Sequence, residues 1–206
     1  MTIFLRHLAV LSLLVSIVVP ALTEANGKGK WLRKEVSGPA RNFTLTDQDG
    51  QKVSLEDLRG KVAVVNFVFT YCPDGCPLTT AKWRGVQEAV KDDALHIVSV
   101  SIDPDHDIPP VLRAFGNKFG ADFRRWSFLT GTTEDIERVR ALYKIPLERR
   151  AKRGPDGEIL AISIVDHGLK TSVVDRQGMK RFEYWGQDFD PKVVIQDLTT
   201  LLAEGR

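Results

Sequence analysis

Ten residues constrain this chain more than any others: KVAVVNFVFT, Lys61 to Thr70. The run is rich in Val and Phe and apolar enough to be buried on both faces. That suits a central strand of a parallel or mixed sheet rather than a half-solvated antiparallel one. It continues into NFVFTYCPDGCP, Asn66 to Pro77, which carries Cys72 and Cys76, the only two cysteines among 206 residues. A central strand therefore delivers two sulfurs to its C-terminal end, the edge at which open α/β sheets gather their ligands.

The flanking segments fill in the fold. Phe43–Leu55 alternates apolar and polar residues about Asp49-Gly50 and reads as a β-hairpin. Leu78, Ala81, Gly85 and Ala89 recur at helical spacing after the cysteines, and Leu95–Asp103 is a second strand. Strand, helix, strand implies a right-handed crossover and parallel pairing. Pro109–Phe119 is a helix opened by its prolines, and Arg125–Gly131 a short strand. Thr132 and Asp135 form a capping box before a helix that lines Ile136, Val139, Leu142 and Tyr143 on one side. A hairpin runs from Thr171 to Gly186. The last helix has Asp190 as N-cap and Pro191 at its first position, with Val194, Ile195, Leu198, Leu201 and Leu202 along one side. This order predicts an α/β domain of thioredoxin-like fold: a mixed central sheet with helices on both faces and an N-terminal β-hairpin.

Residues 1–25 read as a signal peptide or membrane anchor. Arg6 precedes an apolar stretch from Leu8 to Val19, and Ala21 and Ala25 offer cleavage points. The stretch falls short of the ~20 residues of a spanning helix, which favours cleavage over anchoring. Residues 26–40 read as a basic, Gly-containing linker and 41–206 as the folded domain. Export places that domain where disulfides can form. A net charge of +2 gives no case for a nucleic-acid partner.

A Cys72–Cys76 disulfide closes so short a loop that cross-linking contributes roughly 2 kcal/mol before strain. Pro73 and Pro77 already restrict that loop, so a chemical role outweighs a structural staple. Pro77 fits the first turn of the next helix, placing Cys76 at or beside its N-cap, where free N–H groups favour a thiolate. Three intervening residues, rather than two, depart from the thioredoxin motif. Zinc wants four ligands; copper(I) accepts fewer and prefers sulfur, with imidazole a common addition. Of the four histidines, His7 lies in the targeting segment. His96 opens a strand and reads as structural. His106 sits in the polar loop DPDHD, a solvated position with a weak metal contact left open. His167 lies in ISIVDHGLKTSVVD, in a loop that faces the cysteine loop in a thioredoxin-like arrangement. Two readings stay open from the residues alone: a copper site completed by His167, or dithiol exchange with Cys72 attacking and Cys76 resolving. Peroxide chemistry ranks below both, since Phe69 stands three before Cys72 where a threonine is usual.

NFVFTYCPDGCP, SIDPDHD and VDHG occur in this order behind FTLTDQDGQKVSLEDLRGK, and over roughly residues 40–203 the chain resembles the Sco/SenC family of copper proteins. The resemblance implies a domain that binds one copper, Cu(I) or Cu(II), through Cys72, Cys76 and His167. It implies an exported or tethered metallochaperone, in the periplasm or at the outer face of the inner membrane. Such a protein delivers copper to, or reduces the cysteines of, the dinuclear copper site of cytochrome c oxidase. The implied partners are the oxidase copper-centre subunit, another periplasmic copper chaperone or thiol reductant, and the membrane if the N-terminus is uncleaved. Gly75 and Gly168 depart from the family, which often has a bulkier aliphatic residue and Thr there. Asp166 is placed to orient the loop or tune the imidazole. Asp103 and Asp107 match the family's DPxxD and read as turn formers or rim residues. Glu148–Gly154 reads as a solvated loop, with Arg149, Arg150, Lys152 and Arg153 as docking charges the alternative. Trp83 and Trp185 are expected to pack, and Trp31 to flank the membrane.

Overall fold

A computed structural model describes residues 31–204 apart from 73, 74, 154, 157, 158 and 168; for 149–153 and 159–167 it describes the backbone. Residues 1–25, expected to be a signal peptide or membrane anchor, lie outside the described residues. Among the described residues no helix is long and apolar enough to cross a membrane.

Strand β4 (Val62–Val68) is buried at all seven positions and hydrogen-bonded on both sides. It runs parallel to β5 (Leu95–Ser101), which is in turn parallel to β6 (Trp126–Thr130). The N-terminal hairpin, β2 (Thr44–Asp47) and β3 (Lys52–Ser54), joins antiparallel beyond β6. The late hairpin, β9 (Lys170–Val174) and β10 (Lys180–Trp185), joins on the other side of β4. With β1 (Leu32–Glu35) at the far edge, the order is β1-β10-β9-β4-β5-β6-β2-β3.

Alternation along the strands divides the core between two faces. Val62, Val64, Leu95, Ile97, Trp126 and Phe128 meet Trp83 and Val86 of α1 (Gly75–Ala89), Leu112 and Phe115 of α2 (Pro109–Lys118), and Val194 and Leu198 of α4 (Pro191–Ala203). On the opposite face Ala63, Val65, Phe67, Val98 and Val100 pack against Ile136, Val139 and Tyr143 of α3 (Thr133–Tyr143) and against Leu55 and Leu58 of a 3₁₀ turn. Helices thus cover both faces of a mixed sheet, as the order of elements implies. The caps hold as well: Thr132 Oγ1 accepts from Asp135 N at 3.1 Å, and Asp190 Oδ1 from Lys192 N at 2.9 Å.

Four readings need correction. The first concerns α1, which buries Cys76, Thr79, Thr80, Trp83, Val86 and Gln87, so that Leu78, Ala81, Gly85 and Ala89 face outward. Trp83 decides the matter, because its large ring fills the space against Phe189 at 4.9 Å between centroids. The second concerns 26–40: the described part of this supposed linker contains β1, an edge strand. Arg33 grips Asp197 of α4 through Nε and Nη2 at 2.7 and 2.8 Å, and the Tyr184 hydroxyl donates to the same carboxylate at 2.5 Å. Such a bidentate pair is among the stronger polar contacts. Third, Trp31, expected to flank the membrane, packs partly buried against the core face shared by α1, α2 and α4. The fourth concerns Glu148–Gly154, which is largely strand: β7 (Leu147–Arg153) pairs antiparallel with β8 (Ile159–His167) as a separate two-stranded ribbon. Partner hydrogen bonds, rather than its own apolar pattern, make β7 a strand. Leu142 is also more exposed than expected of its helix face.

His96, as expected, is structural. Its Nε2 lies 2.9 Å from Ser127 Oγ, and its buried Nδ1 has no partner among the described residues. Burial, then the charges of Lys61 and Arg125, lower its pKa to about 4. The fold therefore holds the ring neutral, while an unfolded chain takes up a proton near 6.5. The resulting stability is complete above pH 6.5 and drains away as pH falls toward 4. His96→Gln is expected to remove up to about 3 kcal/mol of this acid-side slope. Denaturant unfolding at several pH values checks it, and an unchanged slope assigns the acid sensitivity to other groups.

Candidate metal centre

The site grows from the C-terminal end of β4. After Val68 the chain turns sharply, Cys72 N donating to Phe69 O at 3.3 Å, and re-enters regular structure at Gly75. Helix α1 starts earlier than its proline suggests, so Cys76 lies within the first turn and not at the cap. Pro77 follows where a missing N–H removes no helical hydrogen bond. Pro73 and Asp74 lie outside the described residues.

Both cysteines are thiols. The backbone N–H of Cys76 donates to Cys72 Sγ at 3.3 Å, so the loop does turn the two side chains toward one place. Their surroundings differ. Cys76 is fully buried in the core face of α3, whereas Cys72 is half-buried at its margin. The hydrogen bond with Cys72, then burial, push the Cys76 thiol well above its ordinary range, against a lowering contribution from the Phe69 backbone. The two sulfurs thus differ in setting: the interior disfavours the Cys76 thiolate in this metal-free state, and Cys72 lies nearer the surface, accepting an N–H of the helix start.

Asp107 does more than form a turn. It is fully buried, and its carboxylate accepts from Thr70 N at 3.2 Å, Thr70 Oγ1 at 2.5 Å and Ser101 Oγ at 2.6 Å. It thereby ties the ends of β4 and β5 together directly beneath the cysteine turn. Desolvation raises its pKa, partly offset by the Ser101 and Thr70 hydrogen bonds. Asp103 holds the neighbouring turn, with its carboxylate 3.0 Å from His106 Nδ1. That contact raises the His106 pKa. The exposed His106 ring stands edge-on to Tyr71 at 5.8 Å, so the DPDHD loop does reach the cysteine edge of the sheet.

His167 is the last residue of β8 rather than part of a loop. Its side chain, like those of Asp166 and the β7 cations, lies outside what the structure describes, as does Gly168. Its backbone lies between two neighbours that touch the domain near the cysteine turn or the core face behind it. Leu147, its cross-strand partner, packs against the cluster that contains Cys76. On the other side, Leu169 extends to the cysteine turn: a β-carbon built on Gly75 would lie 3.1 Å from Leu169 Cδ1 and 3.0 Å from Gln187 Oε1. Gly75 is therefore a close-approach position, which accounts for the missing aliphatic side chain there. Among the described residues no three His, Cys, Asp or Glu side chains are placed to share a metal ion, and the His167 ring is not among those residues.

A two-thiol turn at the end of the central strand, opening a helix, defines a thioredoxin-like protein with its reactive pair outside the two-residue spacing. Comparison with known proteins specifies the branch. The SCO1/SenC family model matches residues 34–203, and the chain belongs to that family. The SCO1 protein homolog of Bacillus subtilis is 31% identical over 148 residues, covering 64% of this chain and 77% of its own length. The solved structure of BsSco, described as a member of the Sco family of cytochrome c oxidase assembly proteins with a disulfide switch, is 30% identical with a TM-score of 0.64. It covers 81% of this chain and 95% of its own. ScoI of Bradyrhizobium japonicum, solved with copper bound, is 24% identical with a TM-score of 0.67 over 80% of this chain and 99% of its own, a likeness of fold.

The unequal burial of the sulfurs has a direct chemical readout. Brief alkylation of the reduced protein is expected to label Cys72 and spare Cys76, which peptide mass spectrometry resolves. Equal labelling would contradict the division.

Proposed function

We propose that this chain is an exported copper metallochaperone that holds one copper ion, its cargo, through the Cys72 and Cys76 thiolates and the His167 imidazole. Its client is the copper-centre subunit of cytochrome c oxidase. The observation that carries the reading is the position of His167 between Leu147, which packs on the core face containing Cys76, and Leu169, which meets Gly75 in the cysteine turn. Two soft sulfurs and one imidazole suit Cu(I), and the low net charge of the loaded site is tolerable in either oxidation state. Three donors leave one side open for ligand exchange with a receiving site. The copper in ScoI and the assembly role ascribed to BsSco agree with this reading. Residues 1–25 supply the export signal or anchor, placing the domain in the periplasm or at the outer face of the inner membrane.

A second activity is favoured by the unequal sulfurs. The Cys72 thiolate attacks one sulfur of a client disulfide and releases the other as a thiolate. Cys76, giving up its proton, then attacks Cys72 and frees the client's second thiol. The client gains two electrons, and this protein leaves with a Cys72–Cys76 disulfide. A separate thiol reductant is the partner that resets it.

His167→Ala separates the two activities. Copper(I) titration under reducing conditions is expected to show affinity at least about tenfold weaker than wild type, on the scale by which altered metal surroundings change binding. Dithiol exchange with a model disulfide is expected to stay unchanged. Equal copper affinity would remove His167 from the ligand set.

A further inference from the structure

Among the described residues the β7–β8 ribbon pairs only within itself, outside the eight-stranded sheet. An isolated two-stranded ribbon is marginal in water. If it carries a metal ligand at its last residue, something must hold its base. Its two stems leave the domain at the end of α3 and return at the start of β9.

One side chain joins those two points. Lys170, the first residue of β9, is buried, and its Nζ donates to the backbone oxygen of Tyr143, the last residue of α3, at 3.1 Å. The same ammonium meets Glu183 Oε1 of β10 at 2.8 Å and lies 4.8 Å from the centre of the Trp185 ring. The side chains of Lys170 and Glu183 are 5% and 10% exposed, so the pair is removed from water. A buried ammonium is costly unless its donors are satisfied, and here a carboxylate, a carbonyl and a ring face surround it. Immediately before it, Leu169 O accepts from Gly186 N at 2.7 Å, and Leu169 reaches Gly75. At the other stem Lys144, with φ of 55°, ends α3 in the left-handed conformation and turns the chain toward β7. Entry and exit of the ribbon are thus fastened to a single cation three residues after His167.

We propose that Lys170 is a positioning residue for the copper site: it locks both stems of the β7–β8 ribbon to the domain and so fixes where His167 meets the cysteines. This rests on the copper reading of His167 given above. Lys170 touches neither cargo nor sulfur in this account and acts through the ribbon alone.

The test replaces the pair together, Lys170→Met with Glu183→Leu, because removing both charges leaves no unpaired charge in the interior. Glu183→Gln is a second variant that keeps the side-chain shape but leaves the Lys170 charge without its carboxylate, and it is expected to move the same readouts in the same direction. Hydrogen exchange on the apo protein should show amides of 147–167 exchanging at least tenfold faster, with β4 and β5 still protected. Copper(I) affinity should fall about tenfold, and that fall should vanish when the same changes are made in a His167→Ala background. Unchanged exchange in the ribbon overturns the proposal. So does an equal loss of affinity with and without His167, which places the effect elsewhere than on this ligand. If His167→Ala alone leaves copper affinity unaltered, the ligand reading fails by itself, and ribbon exchange still decides whether Lys170 is the lock.

Discussion

The structure depends on the double enclosure of β4. Its seven residues are all buried, with β5 hydrogen-bonded along one edge and β9 along the other. Fully burying a Val or Phe side chain contributes roughly 1.5–3 kcal/mol, and a one-residue slip would exchange the side chains of two differently packed core faces. The point where β4 leaves the sheet is therefore fixed, and Cys72 follows four residues after it and Cys76 eight. Asp107 extends that fixity past the strand by fastening Thr70 to Ser101. Rigidity of the sheet is thus carried into a turn that could not supply it alone.

The second half of the site is held by different means. Among the described residues the ribbon that ends at His167 pairs with no strand of the main sheet, and the contacts at its base are Leu147 on the core, Leu169 against Gly75, and Lys170 between α3 and β10. One half of the centre is set by burial, the other by a few polar and apolar fastenings. That asymmetry fits the copper-carrier reading proposed above, in which the sulfurs form the fixed half of the site.

Much of this was legible in the sequence because it rests on local rules. The Val-rich strand, the Asp49-Gly50 turn, the Thr132 and Asp190 caps and the late hairpin each advertise themselves through periodicity or turn chemistry, and together they dictate the order of elements. What escaped was set by distant partners. LRKE carries no strand pattern of its own; Arg33 becomes part of an edge strand through Asp197 on the last helix. The charged β7 is a strand only because β8 pairs with it. The outward face of α1 followed small residues at helical spacing, while the buried face was decided by Trp83. At the centre, the two cysteines were evident from spacing and placement. Asp107 stood out as part of a motif but not as a buried clamp, and nothing around Lys170 in the sequence announces a buried cation.

The central claim is that paired sulfurs and a single imidazole converge on one ion. X-ray absorption at the copper edge, on protein loaded anaerobically with one equivalent of Cu(I), tests it most directly. The account predicts a first coordination shell of two sulfurs and one nitrogen, with the nitrogen lost in His167→Ala. A shell of sulfur alone in the wild type, or a nitrogen that survives the substitution, would contradict it.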